Sequence, residues 1–552
     1  MDLPSTWSAF GSSVHVCPDW KHPAFYKQGL RDQRVPQESV GSWPEAESEA
    51  MQRMNGIDPM FIYSETPETP MEVAYACIFD PATAPGGYSF DAVKALLSER
   101  VPTLPPFRRR LMAVPFGLDH PRWVDDPEFN LDNHLHRAAV PDPGGEEELT
   151  QMVADVMSRP LIKDQPPWEM HVIEGLSGAR VGLVAKIHHS VIDGVAGAQL
   201  MAQLLDLSAE GRAITEFCPP WLPPALPSSG QLVADALPNL ITSPIRAWRA
   251  VREIGRTAVR LARRAADSET GPISIPLGAP STFETPVGAS RAVSFAELKM
   301  REVLELKEQF GVTVNDVVLA VSSGALRRHL AVHDQEASDP LVAIVPVSVR
   351  ALPEGEAQGN RLSAMFVALA NDLEKPLDRL QAISGASAST KAQERSVGYG
   401  PMASAVSDAV PPPVTRAVIR LGTHMGVLRR LRPGNLMISN VPGPTFPLYF
   451  AGMRMEALHP LGPIIDGVAL NITVQSYRDS LFVGMNACAT AVPDLPALAR
   501  AMAKELGHLR RAANLSTPVK RMPRVATATG RPADVVSAPQ HRLVSVPAGN
   551  AS

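Results

Sequence analysis

The sequence predicts an α/β protein of two lobes, and three observations carry that prediction. Segments of two-residue and of three-to-four-residue apolar period alternate twice, over residues 51–216 and again over 290–515. Between them, residues 217–289 turn to prolines, small residues and one arginine-rich helical stretch, the texture of a connector. Hydrophobic residues at 45% and charged residues at 20% of 552 sit near globular averages, which excludes a wholly disordered, fibrous or membrane-embedded chain.

Taken in order, residues 1–50 hold Trp7, Trp20 and Trp43 without a clear period and read as an N-terminal extension or an over-called start. In the first lobe, 71–80 reads as a strand, 90–101 and 148–159 as helices, and 168–176 and 181–189 as two strands joined by a short glycine-containing turn. A helix over 194–207 follows. In the connector, 244–266 repeats Ile245, Trp248, Val251, Ile254 and Ala258 at spacings of three and four, with arginines on most other faces. That pattern suits a helix lying in a membrane interface with Trp248 as its anchor, and equally a connector helix packed on the lobes. The second lobe reads as a helix around 296–309, a helix over 311–330, strands at 341–349 and 435–441, a strand pair within 467–487, and a closing helix over 497–513. Residues 516–552 lack aromatics and read as a disordered tail.

A net charge of −5 offers no basic field for a nucleic acid. Cys17, Cys77, Cys218 and Cys488 form no CxxC pair, so a reducing compartment is expected and a zinc site is not. The chain shows no secretory leader and no run of the ~18 uncharged apolar residues that a spanning helix needs. It is expected in the cytosol, or attached to a membrane from the cytosolic side.

The segment richest in chemistry is Lys186-Ile187-His188-His189-Ser190-Val191-Ile192-Asp193-Gly194, an HHxxxDG pattern between an apolar strand and a helix. Adjacent residues at a strand end point to opposite faces, so one histidine can meet a cavity while the other packs. A neutral imidazole is the side chain best matched to taking a proton from a hydroxyl at neutral pH. Asp193 can cap the following helix or pair with an arginine, Arg350 being one candidate, and Gly194 permits a tight backbone. His134 and His136 alternate on an extended segment with no metal-ligand spacing and read as structural. Ile465-Asp466-Gly467 repeats the end of the motif without its histidines and reads as a strand turn. Arg108, Arg109 and Arg110 suit either the phosphates of an anionic ligand or a solvated face.

HHxxxDG in this setting is the signature of the CoA-dependent acyltransferase superfamily. The segments at 54–81, 104–111 (LPPFRRRL), 125–137, 166–176 (PPWEMHVIEGL), 314–330, 345–350, 439–444 (SNVPGP) and 467–477 further resemble the bacterial wax ester synthase/acyl-CoA:diacylglycerol acyltransferase family. The resemblance runs in order from about Met54 to about Ala513, with one departure, Pro167 within Pro166-Pro167-Trp168 where the family carries leucine. It implies two chloramphenicol-acetyltransferase-like lobes with mixed sheets, joined by the helical connector and meeting at a channel.

The resemblance also implies the chemistry: an acyl group passes from acyl-CoA, a co-substrate, to diacylglycerol or a long-chain alcohol, with no bound metal or redox cofactor. His189 is then the general base, His188 its neighbour, and Asp193 and Gly194 structural. Asn315, beside Asp316, orients the base, donates to the oxyanion, or caps its helix. Trp168, Ser439 and Asn440 are candidates for substrate contact, Trp168 also for plain core packing. Two other functions stand beside this one, a carrier-dependent condensation-type acyltransferase and a non-catalytic lipid-droplet-binding relative.

Overall fold

The computed structural model describes residues 51–54, 57–191, 203–211, 224–265, 278, 280–333, 339–348, 362–397, 410–492 and 494–515. Strand β1 is Gln52–Arg53, β2 Glu72–Asp80, β3 Arg109–Met112, β4 Arg122–Asp125, β5 Leu135–Ala139, β6 Trp168–Leu176 and β7 Arg180–His188. In the second half, β8 is Arg291–Lys299, β9 Val342–Ser348, β10 Leu362–Ala368, β11 Leu436–Val441, β12 Tyr449–Phe450, β13 Met453–Leu461, β14 Leu470–Tyr477 and β15 Ser480–Cys488. Two six-stranded sheets result, ordered β12-β13-β2-β7-β6-β5 and β10-β9-β11-β14-β15-β8, with a small third sheet of β1, β4 and β3. Both large sheets mix parallel and antiparallel pairs: β5 runs parallel to β6, and β11 parallel to β9 and β14.

The principal helices are α1 (Asp58–Ser64), α2 (Phe90–Arg100), α3 (Glu146–Ser158), α4 (Ser229–Ala265), α5 (Met300–Phe310), α6 (Val314–Val332), α7 (Pro376–Val397), α8 (Pro412–His424), α9 (Val427–Leu431) and α10 (Leu495–Ala512). β7 and β15 are buried along nearly their whole length, and their near-continuous apolar runs follow from cover on both faces. One core cluster belongs wholly to the second half, around β14, β15, α6 and α10. The other two cross between the sheets, through Tyr477 and Phe482 in one and Val293 and Phe295 in the other.

The lobes are not divided as the chain is. β12 and β13, from the C-terminal half, complete the first sheet by pairing β13 with β2 from Arg454↔Asp80 to Leu461↔Ala74. Without them β2 would present an open edge beside the central strand. His459 on β13 stacks on Phe295 of β8 at 4.1 Å and meets Phe482 of β15 edge-on at 5.3 Å, so this strand also joins the two sheets.

Two expectations are corrected. The helix expected around 296–309 is strand β8 followed by helix α5: Val293 and Phe295 are buried at strand spacing, whereas Leu298, three residues on, carries a spacing that reads as helical. The connector helix begins at Ser229, well before Pro244. Its first turns dock on the small sheet, where Asp235 accepts from Arg122 Nε at 2.6 Å and Asn239 donates to Asp119 at 2.9 Å. Beyond them Ile241, Ile245, Trp248 and Val259 stand exposed, Trp248 at 61%. Most of the helix expected over 194–207, the N-terminal extension and the tail lie outside the described residues. Among the described residues no helix is long and apolar enough to cross a membrane.

Candidate active site

β7 ends at His188 in the middle of the first sheet, paired with Glu72 at the start of β2. Two backbone bonds fix the histidine pair: His188 N–H donates to Pro167 O at 3.0 Å and His189 N–H to Met71 O at 2.8 Å. Val191 N–H then closes a turn onto His188 O at 3.0 Å. Strand alternation gives the two imidazoles different surroundings.

His188 is 4% exposed. Its Nδ1 accepts from the Ser190 backbone N–H at 3.1 Å and lies 2.7 Å from Ser190 Oγ, which places its proton on Nε2. Burial, reinforced by His189 and Lys163, pushes its pKa from 6.5 down to about 3, so it is neutral at physiological pH. His189 is half-buried. Its ring stacks on Phe61 of α1 at 4.4 Å and 13°. Of the pair, then, the second histidine is the one with access to solvent.

Behind His188, on the same face of β7, lies a buried ionic cluster. Lys186 is 1% exposed; its Nζ stands 2.9 Å from Glu72 Oε2 and 3.2 Å from Glu169 Oε1, and donates to Val156 O and Arg159 O. Glu72 also accepts from Leu161 N–H at 2.6 Å. Burial pushes the Glu72 carboxyl upward against the opposing pull of Lys186. The cluster ties β2, β6 and the segment after α3 to the strand that carries the histidines.

The other candidates fall in several places. Trp168 is 1% exposed, donates its indole N–H to Phe107 O at 2.7 Å and stacks on His134 at 4.5 Å. That is a core position. His134 Nδ1 lies 2.8 Å from Trp168 O, so this histidine is structural, as its spacing suggests. Asn315 is half-buried in the first turn of α6, and it is not the cap: Thr313 and Asp316 form the reciprocal capping pair. Ser439 and Asn440 are half-buried on β11, on opposite faces by strand alternation. Asp193, Gly194 and Arg350 lie outside the described residues. Ile465 pairs with Val468 across a turn in which Gly467 takes φ 85°, so this segment is a strand turn. Arg108 and Arg109 share Asp125 and Arg110 faces Asp126 at 3.7 Å, so the run is committed to carboxylates.

Sequence spacing does not show the partners of His136. That histidine meets His171 and Glu169, residues of the neighbouring strand, because parallel pairing of β5 with β6 sets His136 opposite His171. Spacing along the chain could not show a pairing across a sheet. Phe61 is likewise a partner that no local pattern announces, although it lies inside the segment 54–81.

Comparison with known proteins settles the family. The profile of the wax ester synthase/diacylglycerol acyltransferase catalytic domain matches residues 54–318, and that of the WS/DGAT C-terminal domain matches residues 358–510. A Mycobacterium tuberculosis H37Rv protein named as a diacylglycerol O-acyltransferase is 37% identical over 473 residues, covering 83% of this chain and 90% of its own. The chain belongs to the WS/DGAT family. A second M. tuberculosis protein of that name is 34% identical over 448 residues, covering 80% and 93%. The solved Marinobacter aquaeolei wax ester synthase/diacylglycerol acyltransferase superposes with a TM-score of 0.59 at 26% identity, covering 84% of this chain and all of that one. A Fusarium sporotrichioides trichothecene 15-O-acetyltransferase, with a TM-score of 0.51 at 13% identity over 83% and 95% of the two chains, shares the fold alone. This WS/DGAT-family acyltransferase thus has the two-lobed mixed α/β architecture that its sequence predicts.

Proposed function

We propose that the protein is an acyl-CoA-dependent O-acyltransferase that moves a long-chain acyl group onto diacylglycerol, giving triacylglycerol, and onto long-chain alcohols, giving wax esters. One observation carries the assignment of the base. In a WS/DGAT-family chain, the motif's first histidine is buried and neutral while the second is half-exposed beside Phe61.

His189 accepts the proton of the acceptor hydroxyl as the alcohol oxygen attacks the thioester carbonyl. The tetrahedral intermediate collapses, the C–S bond breaks, and the imidazolium returns its proton to the CoA sulfur. No metal or redox step enters. General base catalysis of this kind contributes about 10²–10⁴-fold, the remainder coming from alignment of two long substrates and stabilisation of the oxyanion. His188 acts as a positioning residue: held by Ser190 and incapable of taking a proton near neutral pH, it leaves base catalysis to its neighbour. Asn315 is the oxyanion or orienting group of this reading, with Asp316 committed to the helix cap. Ser439 and Asn440 are its candidates for substrate contact, and Asp193 and Gly194 shape the loop.

The exposed stretch of α4 supports a peripheral location on a membrane or lipid droplet, where acceptor and product both accumulate. Ile241, Ile245 and Trp248 supply the apolar side, and the exposed Arg252 and Arg256 meet anionic headgroups. The test is release of CoA thiol from palmitoyl-CoA with dioleoylglycerol or hexadecanol as acceptor, His189→Ala in parallel. Acceptor-dependent release that collapses in the variant is expected, and the ratio of the two rates gives the acceptor preference. Release with neither acceptor, from folded protein that floats with lipid, overturns the reading in favour of a lipid-binding relative. Equal flotation by a variant with four α4 arginines changed to glutamine removes the membrane role of that helix.

A further inference from the structure

We propose that His136, His171 and Glu169 bind one divalent transition-metal ion of the Zn²⁺ class at the edge of the first sheet, away from the chemistry assigned to His189. The backbone arranges the set. β5 and β6 run parallel with His136 opposite His171, so both side chains rise from one face, and Glu169, two residues before His171, rises from the same face. One ligand atom from each of the three lies within 4.8 Å of the other two.

The distances suit a metal shell. Bonds of ~2.0–2.2 Å in a tetrahedral site separate neighbouring ligand atoms by about 3.3–3.5 Å. His171 Nε2 already stands 3.3 Å from Glu169 Oε1. The rings of His136 and His171 are 4.7 Å apart at their centroids and tilted by 36°, so a modest rotation of His136 brings its nitrogen to the same point. His171 Nε2 is buried and faces that Glu169 carboxylate oxygen, an ion-pair geometry in which a bridging cation can take the place of the imidazole proton.

Charge agrees with geometry. Lys186 beside Glu169 is matched by Glu72 on its other side, so Glu72, Glu169 and Lys186 together leave one negative charge to meet the metal. Two imidazoles with one carboxylate favour Zn²⁺, Co²⁺, Ni²⁺ and Cu²⁺ over Mg²⁺ or Ca²⁺. The bound ion adds a side-chain link between the edge strand β5 and β6, beside the Arg137–Glu174 ion pair and the parallel backbone ladder.

The test uses the full chain, stripped with EDTA and titrated with Co²⁺ and separately with Zn²⁺. Wild type is expected to take up one equivalent of Co²⁺ with the visible d–d bands of a low-coordinate nitrogen–oxygen site, lost on addition of Zn²⁺, and to melt at higher temperature with Zn²⁺ but not with Mg²⁺. His136→Gln and His171→Gln are each expected to weaken Co²⁺ binding at least tenfold while keeping the metal-free melting temperature and circular dichroism. Absence of d–d bands in wild type overturns the proposal without recourse to any variant. So does uptake that is unchanged in the double variant.

Discussion

The two sides of the β7 terminus hold neighbouring residues and put them to opposite uses. On one side His188, Lys186 and Glu72 are each at most 4% exposed and bonded to one another's strands and loops. On the other, His189 is half-exposed, with a stacked ring for a neighbour. The sequence difference is nil, since both positions are histidine. What separates them is the strand's two-residue alternation, which buries one imidazole and leaves the other half-buried beside Phe61.

The largest effect that tests this contrast is on turnover. His189→Ala is expected to lower acyl transfer by about 10²–10⁴-fold while leaving the urea midpoint almost unchanged. A fall in stability as large as the fall in rate would show that both histidines are structural. Next in size is the buried side. Lys186→Met leaves Glu72 charged and unpaired, and by comparison with other broken buried pairs it should cost about 3–5 kcal/mol in urea unfolding. Adding Glu72→Gln should restore part of that loss, and a double variant no better than the single one would show that the pairing with Glu72 is immaterial.

The contrast also extends to pH. His188 titrates at about 3 and His459 at about 4 when folded, both held down chiefly by burial, against 6.5 when free. Below 6.5 the unfolded chain therefore takes up protons that the folded chain refuses. Stability is full above pH 6.5 and is lost as pH falls toward 4 and 3, by up to about 1.4 kcal/mol per pH unit for each residue. Denaturant melts of wild type and His459→Gln between pH 4 and 7 should differ in slope over that window, and identical slopes would remove His459 from the account. The smallest effect is at Phe61: replacing it with leucine should slow turnover by about two- to tenfold, the worth of one aromatic pair, without moving the melting temperature. No change in rate would leave the stacking without a role in positioning His189.

Much of this contrast is legible in the amino-acid sequence. Strands 71–80, 168–176 and 181–189 are legible as short apolar runs, β7 being covered on both faces, and the helices at 90–101, 148–159 and 497–513 follow from periodicity. HHxxxDG points to the candidate site through the aspartate-glycine at its end and the family resemblance, since a histidine pair alone at a strand end is more often structural, as His188 is. What sequence does not yield is contact between distant segments. Phe61 on His189, His136 beside His171, and β13 beside β2 all depend on pairings whose partners carry no mark of one another. β8 is hidden differently, since its buried Phe295 and Leu298 run in helical spacing into α5 and the strand's own period is masked. Trp168 shows the converse limit: an aromatic in a family motif reads as a substrate contact or as core, and only its bond to Phe107 O and stacking on His134 place it in the core.

The insertion of β13 into the first sheet has a consequence for synthesis. The strand that ends in the two histidines leaves the ribosome on the order of tens of seconds before β13 does, at about 5–20 residues per second. Throughout that interval β2 has an unpaired edge, its apolar residues uncovered on the side that β13 later fills. The newborn N-terminal half is thus a client for holding factors, and a gene cut after the connector would encode a sticky half-sheet where a smaller enzyme was intended.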